Sequence, residues 1–437
     1  HLIDNLADWF VEWVNYEKNN HPEAILKGEA GGMLEIWARL YEITKNQKYM
    51  DLACAYKENS IFDELQEDKD ALSNIHTNAS IPLAHGACKM YQITKDEKYL
   101  DIALKFWKCA VTDRGYYSTG GQNTGEFWIP PKKFSNFLSD RNQEFCTVYN
   151  MVRLADYLYL FTGKSEFAEY IELCLYNGFL TQQNKDTGMP TYFLSLKSGS
   201  KKLWGTKTRD FWCCHGTMIQ AQTLYSSLCY YQKEENALII NQYIPSVFAT
   251  SDKSFTLSQT VNMSFNGNDS FFTQNEQGEM SRWNLKFEIN STCTEEYTLS
   301  FRVPLWCKSK PTLLLNDTQI NYEITDGYII LKRKWNHETI SLNFEPKLRA
   351  VEMPSDSSLI SIMEGPIVLA GLVDSDCGLN IIEDNIDKTF LKQIEHLYTA
   401  FPWKQSTYIT KRQDKNFSFI SLYEVTNEEY TIYFTKK

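Results

Sequence analysis

The sequence predicts an α+β protein of more than one domain, in which a helical half precedes an antiparallel β-sandwich. Its 437 residues exceed what one hydrophobic core ordinarily serves, so two domains are the default expectation. A helical repeat fills the first half, and short alternating segments fill the second. We therefore expect a helical domain over residues 1–233 and a β region over residues 234–437, built as one sandwich or as two that divide near residue 350.

The helical half is predicted from a repeated unit. Residues 40–52 read LYEITKNQKYMDL, and residues 90–102 read MYQITKDEKYLDI in matching register. A looser copy, LYLFTGKSEFAEYI, begins at Leu158. Each copy joins an apolar helix to a second helix through a polar turn, and such a unit must stack on its neighbours to bury its apolar face. This pattern is typical of an α/α toroid or an α-solenoid.

The β half is predicted from a change of periodicity near residue 236. Segments such as SFTLSQTVNMSF, RWNLKFEIN and YTLSFRVPLW are rich in Val, Ile, Phe and Tyr, and clusters of Asn, Asp, Gly and Lys separate them. Alternation of period two at this spacing indicates an antiparallel β-sandwich. A further β segment lies around residues 359–373. A helix that starts after Thr217 and runs through Tyr231 is predicted to end the helical half.

Charge and hydropathy argue against two classes of partner. The net charge is −11 and no basic patch or stripe stands out, which argues against nucleic-acid binding. No stretch approaches the roughly 18 uncharged apolar residues that a membrane span needs. We therefore expect neither nucleic acid nor a membrane as a partner, and a homodimer is compatible with the sequence.

Cysteine usage bears on location. Eleven cysteines at irregular spacing are a poor disulfide framework, which favours a reducing compartment. The chain begins at His1 and carries no recognisable signal peptide. We expect a cytoplasmic rather than a secreted protein.

The segment RDFWCCHGT places two thiols side by side, at Cys213 and Cys214. They could form a strained vicinal disulfide, be two buried free thiols, or be two ligands of one metal ion. The segment NQEFCT offers partners for a metal, because Glu144 and Cys146 point to the same face if the backbone is extended there. One carboxylate and three thiolates suit a four-coordinate zinc ion, although adjacent cysteines do not match the usual zinc-finger spacing.

Three further segments carry candidate polar groups. In the glycine-rich segment YYSTGGQNTGEFWIPP, Glu126 lies beside aromatic residues, a setting that suits a general acid, and the alternative is an ordinary surface-loop glutamate. Glu29 precedes a Gly-Gly turn that opens a helix. His76 precedes a helix and could hydrogen-bond a ligand, whereas His85 lies on the apolar stripe of that helix and is more typical of a core histidine.

Five motifs follow one another along the chain. They are E-x-GGM at 29–33, H-x-N-x-x-IP at 76–82, GG-x₄-E-F at 120–127, E-x-C at 144–146 and CC-x-GT at 213–217. Together they resemble the motifs of the β-L-arabinofuranosidases of glycoside hydrolase families 127 and 146. The segments INQYIPS, FRVPLW and EGPIVLAG are similar to β-sandwich segments of the same enzymes, so the resemblance covers most of the chain.

The resemblance implies a zinc-dependent retaining hydrolase that releases terminal β-L-arabinofuranosyl residues from plant-derived glycans or glycopeptides. It implies four zinc ligands: Glu144, Cys146, Cys213 and Cys214. Cys213 would also be the nucleophile, forming a thioglycosyl enzyme, and Glu126 would be the general acid/base. His76 and Glu29 would bind sugar hydroxyls.

The resemblance leaves some points open. It implies an (α/α)₆ barrel, yet the helical half offers only about eight or nine helices, so we expect the barrel to be incomplete at its N-terminal side. The same catalytic residues could act on another branched or acidic pentose. Alternatively, the protein could be a non-catalytic, carbohydrate-binding relative that keeps the fold and the zinc ion. His215, beside the thiol pair, could be a hydrogen-bond donor near the site or a core histidine.

Overall fold

The computed structural model describes residues 2–27, 30–57, 61–265, 281–381, 386–392 and 408–437. Helices dominate as far as residue 229, and strands dominate after it. The chain forms two compact units, which are His1–Gly163 with Tyr192–Ser195 and Met353–Asp356, and Lys164–Thr191 with Leu196–Glu352 and Ser357–Lys437. This confirms a mixed helical and β protein of more than one domain. The boundary at residue 233 stays a prediction.

Nine α-helices lie in the described residues: α1 (Leu2–Asn20), α2 (Met33–Thr44), α3 (Gln47–Lys57), α4 (Phe62–Gln66), α5 (Thr77–Thr94), α6 (Glu97–Trp107), α7 (Phe145–Thr162), α8 (Ser165–Cys174) and α9 (Cys213–Cys229). Short 3₁₀ turns cover Pro22–Leu26, Ala30–Gly32, Phe134–Phe137, Ile386–Lys388 and Leu422–Glu424, and π-helical turns cover Lys108–Thr112 and Leu175–Leu180. Helix α9 starts five residues earlier than predicted, which puts the thiol pair in its first turn, and it ends at Cys229 rather than at Tyr231.

The predicted helical repeat is visible in how the helices end. Helices α2, α5 and α7 each stop at a residue in the left-handed conformation, namely Lys45, Lys95 and Gly163. Such a residue terminates a helix because its backbone N–H bonds to a carbonyl of the last turn. The following helix begins within two or three residues in each case. The paired helices are therefore confirmed, and their closure into a toroid stays a prediction.

A small sheet in the helical half carries two of the candidate site residues. Its strands are β1 (Asn123–Thr124), β2 (Phe127–Trp128), β3 (Asn142–Glu144) and β4 (Phe193–Leu194), in the order β2-β1-β3-β4. Strands β1 and β2 form a hairpin with the two-residue turn Gly125–Glu126. Gly125 adopts a φ of +51°, a conformation that tight hairpin turns of this kind require.

Eleven strands follow α9 as far as residue 344: β5 (Tyr230–Glu234), β6 (Ala237–Ile240), β7 (Ser246–Ala249), β8 (Phe255–Phe265), β9 (Ser281–Ser291), β10 (Tyr297–Arg302), β11 (Thr312–Leu315), β12 (Thr318–Gln319), β13 (Ile324–Thr325), β14 (Tyr328–Arg333) and β15 (His337–Phe344). They form a sheet in the order β13-β14-β10-β6-β5 and another in the order β12-β11-β15-β9-β8-β7. Both sheets contribute side chains to one hydrophobic cluster.

The last strands form a third sheet of the β half: β16 (Leu348–Met353), β17 (Asp356–Glu364), β18 (Ile367–Gly371), β19 (Gly378–Leu379), β20 (Phe390–Lys392), β21 (Tyr408–Thr410), β22 (Ser418–Ser421) and β23 (Phe434–Lys436). Their order is β19-β23-β17-β18-β22-β21-β20, with β16 paired to β17. Most strand pairs of the β half are antiparallel, as the sequence predicts, but β6 pairs with β10 and β19 pairs with β23 in parallel. The predicted alternation is absent from β18, where every residue is buried. The sandwich arrangement stays a prediction.

Alternation of period two is clearest where β15 pairs with β9. Ile340 lies opposite Phe287 and Leu342 opposite Leu285, and all four side chains are buried. Side chains between them are partly or fully exposed. Because successive side chains of a strand point to opposite faces, this register buries one face of the pair.

None of the described helices combines the length with the apolar character that crossing a bilayer demands.

Candidate active site and metal centre

Four of the predicted site residues lie together in one cluster: Glu144, Cys146, Cys213 and Cys214. One potential ligand atom from each lies within 4.8 Å of the others, and the described residues contain no second such group of His, Cys, Asp and Glu. In a tetrahedral zinc site with Zn–S bonds of about 2.3 Å, ligand atoms lie about 3.8 Å apart. The cluster therefore needs only small side-chain movements to hold such an ion.

The chemistry of the cluster also fits a metal. Glu144, Cys146 and Cys214 are almost fully buried, and a buried carboxylate surrounded by thiols is costly without a cation. Cys213 is exposed, and it is the one exposed cysteine of the eleven, all of which are free thiols in the described part of the chain. A vicinal disulfide is therefore not the arrangement that the structure adopts, and one thiol of the cluster faces solvent.

Glu144 and Cys146 reach the cluster from a junction between strand and helix. The predicted reason, extended backbone through both residues, is wrong: β3 ends at Glu144, and α7 begins at Phe145. Glu144 is the N-cap of α7, and Asn123 accepts its backbone N–H at 3.1 Å. The first turn of a helix directs Cys146 back over the N-cap, so the two ligands still converge.

Glu126 lies at the tip of the β1–β2 hairpin, with a side chain that is 40% exposed. Its backbone carbonyl accepts the N–H of Thr77 at 2.8 Å, and Phe127 forms a β-bridge with His76. The hairpin is therefore bonded directly to the start of α5. The glutamate is neither buried among aromatic rings nor a free surface residue, because its carboxylate contacts two polar side chains.

His76 is one of the two partners of that carboxylate. It is the N-cap of α5, and its Nδ1 accepts the backbone N–H of Ala79 at 3.3 Å. Since Nδ1 is an acceptor, the proton of the neutral ring sits on Nε2, which lies 3.5 Å from Oε2 of Glu126. The ring thus presents a donor to the carboxylate and to any ligand beside it.

Tyr192 is the second partner, and the sequence analysis did not find it. Its hydroxyl donates to Oε1 of Glu126 at 2.8 Å. Tyr192 directly precedes β4, and its carbonyl accepts the N–H of Phe145 at 3.0 Å, so it is tied to the start of α7. No local pattern marks this residue, because its contact with Glu126 spans 66 positions of the chain.

His85 is a buried core histidine, as expected, but it belongs to a polar network. Its Nε2 bonds to the carbonyl of Asn150 at 2.8 Å, and Arg153 donates to its Nδ1 at 3.1 Å. Arg153 also pairs with Glu35 at 2.6 Å. Burial, together with the Arg153 guanidinium, lowers the pKa of His85 to about 3. The ring is therefore neutral and anchors α7 against α5.

Glu29, the remaining predicted site residue, lies outside the described residues. Trp128 of β2 is buried, and its indole N–H donates to Ser80 of α5 at 2.9 Å. This bond also ties the Glu126 hairpin to α5.

Comparison with known families assigns the chain. The family model for the catalytic domain of β-L-arabinofuranosidases of GH127 matches residues 1–227, and the model for the GH127 middle domain matches residues 237–345. The chain belongs to the GH127 β-L-arabinofuranosidase family. It is therefore a glycoside hydrolase, and its substrate is a carbohydrate. Among curated protein sequences, none matches this GH127 chain.

Solved structures of similar fold agree with this assignment. A GH127 β-L-arabinofuranosidase from Geobacillus stearothermophilus is 16% identical, with a TM-score of 0.66 over 92% of this chain and 72% of that one. A structure described as a GH127 β-arabinofuranosidase is 17% identical, with a TM-score of 0.68 over 92% of this chain and 68% of that one. A further glycoside hydrolase is 16% identical, with a TM-score of 0.69 over 92% and 74%. At these identities the likeness concerns the fold.

Proposed function

We propose that this GH127 protein is a zinc-dependent hydrolase that releases terminal β-L-arabinofuranosyl residues from plant-derived glycans or glycopeptides with retention of configuration. The observation that carries the proposal is the cluster of one carboxylate and three thiols in which a single thiol, Cys213, is exposed. A purely structural zinc site needs no ligand that faces solvent, whereas a nucleophile must be accessible. The (α/α)₆ barrel and the β-sandwich are part of the same proposal.

The proposed zinc ligands are Glu144, Cys146, Cys213 and Cys214. A bound zinc ion would keep its thiol ligands deprotonated near neutral pH. In the first step the sulfur of Cys213 forms a bond to the anomeric carbon while the glycosidic C–O bond breaks. Glu126, protonated at that point, gives its proton to the departing oxygen.

The second step reverses the roles. The Glu126 carboxylate takes a proton from water, the resulting oxygen nucleophile bonds to the anomeric carbon, and the C–S bond breaks to regenerate the thiolate. Two displacements at one carbon leave the anomeric configuration unchanged. Each displacement needs its attacking and leaving atoms on opposite faces of the sugar, which assigns one face to Cys213 and the other to Glu126.

The neighbours of Glu126 have supporting roles in this scheme. Tyr192 and His76 each direct a donor at one carboxylate oxygen, at 2.8 Å and 3.5 Å. Donors of this kind hold the carboxylate in one orientation between the two steps. The His76 contact is the longer, so its Nε2–H remains able to reach a sugar hydroxyl, which supports the proposed role in substrate binding. Glu29 stays a proposed hydroxyl ligand from the motif alone.

The deciding experiment is hydrolysis of an aryl β-L-arabinofuranoside by the zinc-loaded, thiol-reduced protein. The α-L-arabinofuranoside and the β-D-xyloside serve as matched substrates. Release from the first alone, with β-configured sugar as the first product by NMR, is the expected result. Release from a different pentoside would change the proposed sugar and leave the proposed catalytic residues unchanged. No release from any of them, with zinc bound, would favour a non-catalytic carbohydrate-binding relative.

A further inference from the structure

Helix α9 begins with an unusual hydrogen-bond arrangement around His215. Its N-cap is Trp212, and the backbone N–H of Trp212 donates to Nδ1 of His215 at 3.3 Å. The N–H of His215 donates in turn to the carbonyl of Trp212 at 3.0 Å. In a capping box, a side chain at this third helical position reaches back to the N-cap N–H, and the residue is ordinarily Glu or Gln. Here an imidazole does so.

The imidazole has little freedom to move. Its ring contacts the Trp212 indole edge to face, with centroids 5.4 Å apart. On another side lies Gly205, where a Cβ atom would be 3.0 Å from Nε2 and 3.1 Å from Cε1 of the ring. The Gly205 backbone is itself bonded to the carbonyl of Pro190 at 2.9 Å. The ring is therefore held between an indole and a fixed stretch of backbone.

The bonding also excludes one expected role for His215. Since Nδ1 accepts a backbone N–H, the proton of the neutral ring is on Nε2. That Nε2 is buried and has no hydrogen-bond partner among the described residues. The ring thus does not donate to a ligand of the cluster, and its hydrogen bond is the one that it accepts from Trp212.

We propose that His215 is the residue that positions the thiol pair. Cys213 and Cys214 are the two residues between Trp212 and His215, so the bond that closes this turn sets the direction in which both thiols leave the helix. Metal sites tolerate deviations of only about 0.2 Å in ligand distance. A turn that frays would therefore lower zinc affinity before it unfolds the protein. This inference rests on the proposed zinc site and adds to it a group that touches neither metal nor sugar.

Two variants distinguish the hydrogen bond made by His215 from the space that its side chain fills. His215→Gln keeps an acceptor at the third helical position, as an ordinary capping box does, whereas His215→Leu fills similar space without one. Zinc affinity is measured by chelator competition on the whole 437-residue protein, beside its thermal midpoint. We expect His215→Leu to weaken zinc binding about 10- to 100-fold, the usual cost of losing a group that orients metal ligands. His215→Gln should stay close to the unmodified protein.

The matched control removes a cap from a helix without site residues. Asp96 is the N-cap of α6 and accepts the N–H of Lys98 at 3.0 Å. Asp96→Ala should lower the thermal midpoint about as much as His215→Leu and leave zinc affinity unchanged. If His215→Leu fails to fold, Gly205→Ala tests the same contact, because its Cβ crowds the ring and should also weaken zinc binding.

The outcomes distinguish this inference from the proposed zinc site. If the unmodified protein binds zinc and His215→Leu binds it equally well, His215 has no positioning role and the zinc site stands. The same conclusion follows if Asp96→Ala weakens zinc as much as His215→Leu does. If the unmodified protein takes up no zinc, the zinc site and the inference both fail.

Discussion

Two helix starts each contribute two residues to the Glu/Cys cluster, and they differ in burial. Helix α7 buries 12 of its 18 residues, and its two contributions, Glu144 and Cys146, are inaccessible to solvent. Helix α9 buries 5 of its 17 residues, and one of its thiols, Cys213, is exposed. The buried start is suited to fixing a metal, and the exposed start is suited to presenting a reacting thiol. The cluster therefore combines a rigid support with an accessible nucleophile.

The contacts that hold the two helices in place also differ. Helix α7 is held at Asn150 by the neutral His85 and at Arg153 by the buried Glu35. At the start of α9, the backbone N–H of Trp212 donates to His215, a bond within the first turn of the helix itself. Removing a group at the buried start should therefore lower both zinc binding and turnover. Removing the exposed thiol should lower turnover more than zinc binding.

The largest effect is expected at the buried start. Cys146→Ser should lose zinc and activity together, because serine is a poor zinc ligand and the site cannot replace it from solvent. Zinc affinity should fall by more than the roughly 10- to 100-fold typical of groups beyond the ligands themselves. Zinc content after dialysis and hydrolysis of the aryl β-L-arabinofuranoside measure both. Cys174→Ser, at a buried cysteine of α8, is the matched control and should keep both properties.

The exposed thiol should behave differently. Cys213→Ser should lower turnover by roughly 10⁴- to 10⁶-fold, as loss of a nucleophile does in other hydrolases. Part of the zinc should remain, because Glu144, Cys146 and Cys214 still provide three ligands. Activity and zinc content measured on one preparation test the separation. Near-normal turnover would remove Cys213 as the nucleophile, and complete loss of zinc would erase the contrast between the two helix starts.

A variant at Glu126 tests whether catalysis by the exposed thiol requires a separate proton donor. Glu126→Gln should slow turnover about 10²- to 10⁴-fold, the usual cost of losing a general acid/base. The loss in the first step should shrink for an aryl substrate with a very acidic leaving group, because such a group departs without a proton. Glu97→Gln, on the exposed first turn of α6, is the control. A uniform loss for all leaving groups would count against the acid role.

The smallest effect concerns the support of α7 and depends on pH. The folded protein keeps His85 neutral, with a pKa of about 3, whereas the unfolded chain protonates it near 6.5. As pH falls below about 6.5, the unfolded state therefore gains a proton that the folded state does not. Protonation of this group should therefore lower the free energy of unfolding by about 1.4 kcal/mol for each pH unit below about 6.5. Above that pH, the contribution of His85 to stability is fully present.

Urea unfolding between pH 6.5 and 5 measures this slope. His85→Gln should flatten it, because glutamine can donate to Asn150 and does not titrate. His337→Gln, at an exposed histidine of β15, should leave the slope unchanged. An equal slope in His85→Gln and the unmodified protein would mean that protonation elsewhere controls the acid sensitivity. Although burial opposes the shift, the Arg153 guanidinium and the hydrogen bonds from Arg153 and Tyr157 hold the pKa of Glu35 below its usual value, so this carboxylate stays ionised throughout the window.

Much of the candidate site could be predicted from the sequence because its motifs are local. The five motifs contain Glu126, Glu144, Cys146 and the thiol pair, and the structure brings four of the named residues into one cluster. Tyr192 was missed because nothing in its own neighbourhood marks it. The start of α9 was placed too late because the cap that begins it is an imidazole, which local sequence rules do not anticipate.

The sequence by itself determined the features that depend on neighbouring residues. These are the paired helices joined by polar turns, and the alternation of apolar side chains along β9 and β15. Steric limits on the backbone and the period of the apolar residues act within a few positions, so they can be read locally.

Only the tertiary structure decided the distances on which chemistry depends. It brought Cys146 within 4.8 Å of a thiol pair 67 positions later, directed Tyr192 and His76 at Glu126, and made His85 neutral by burying it beside Arg153. These properties arise from packing between segments that are remote in the chain. A local pattern specifies which groups are present, and the packing specifies where they meet and how they are charged.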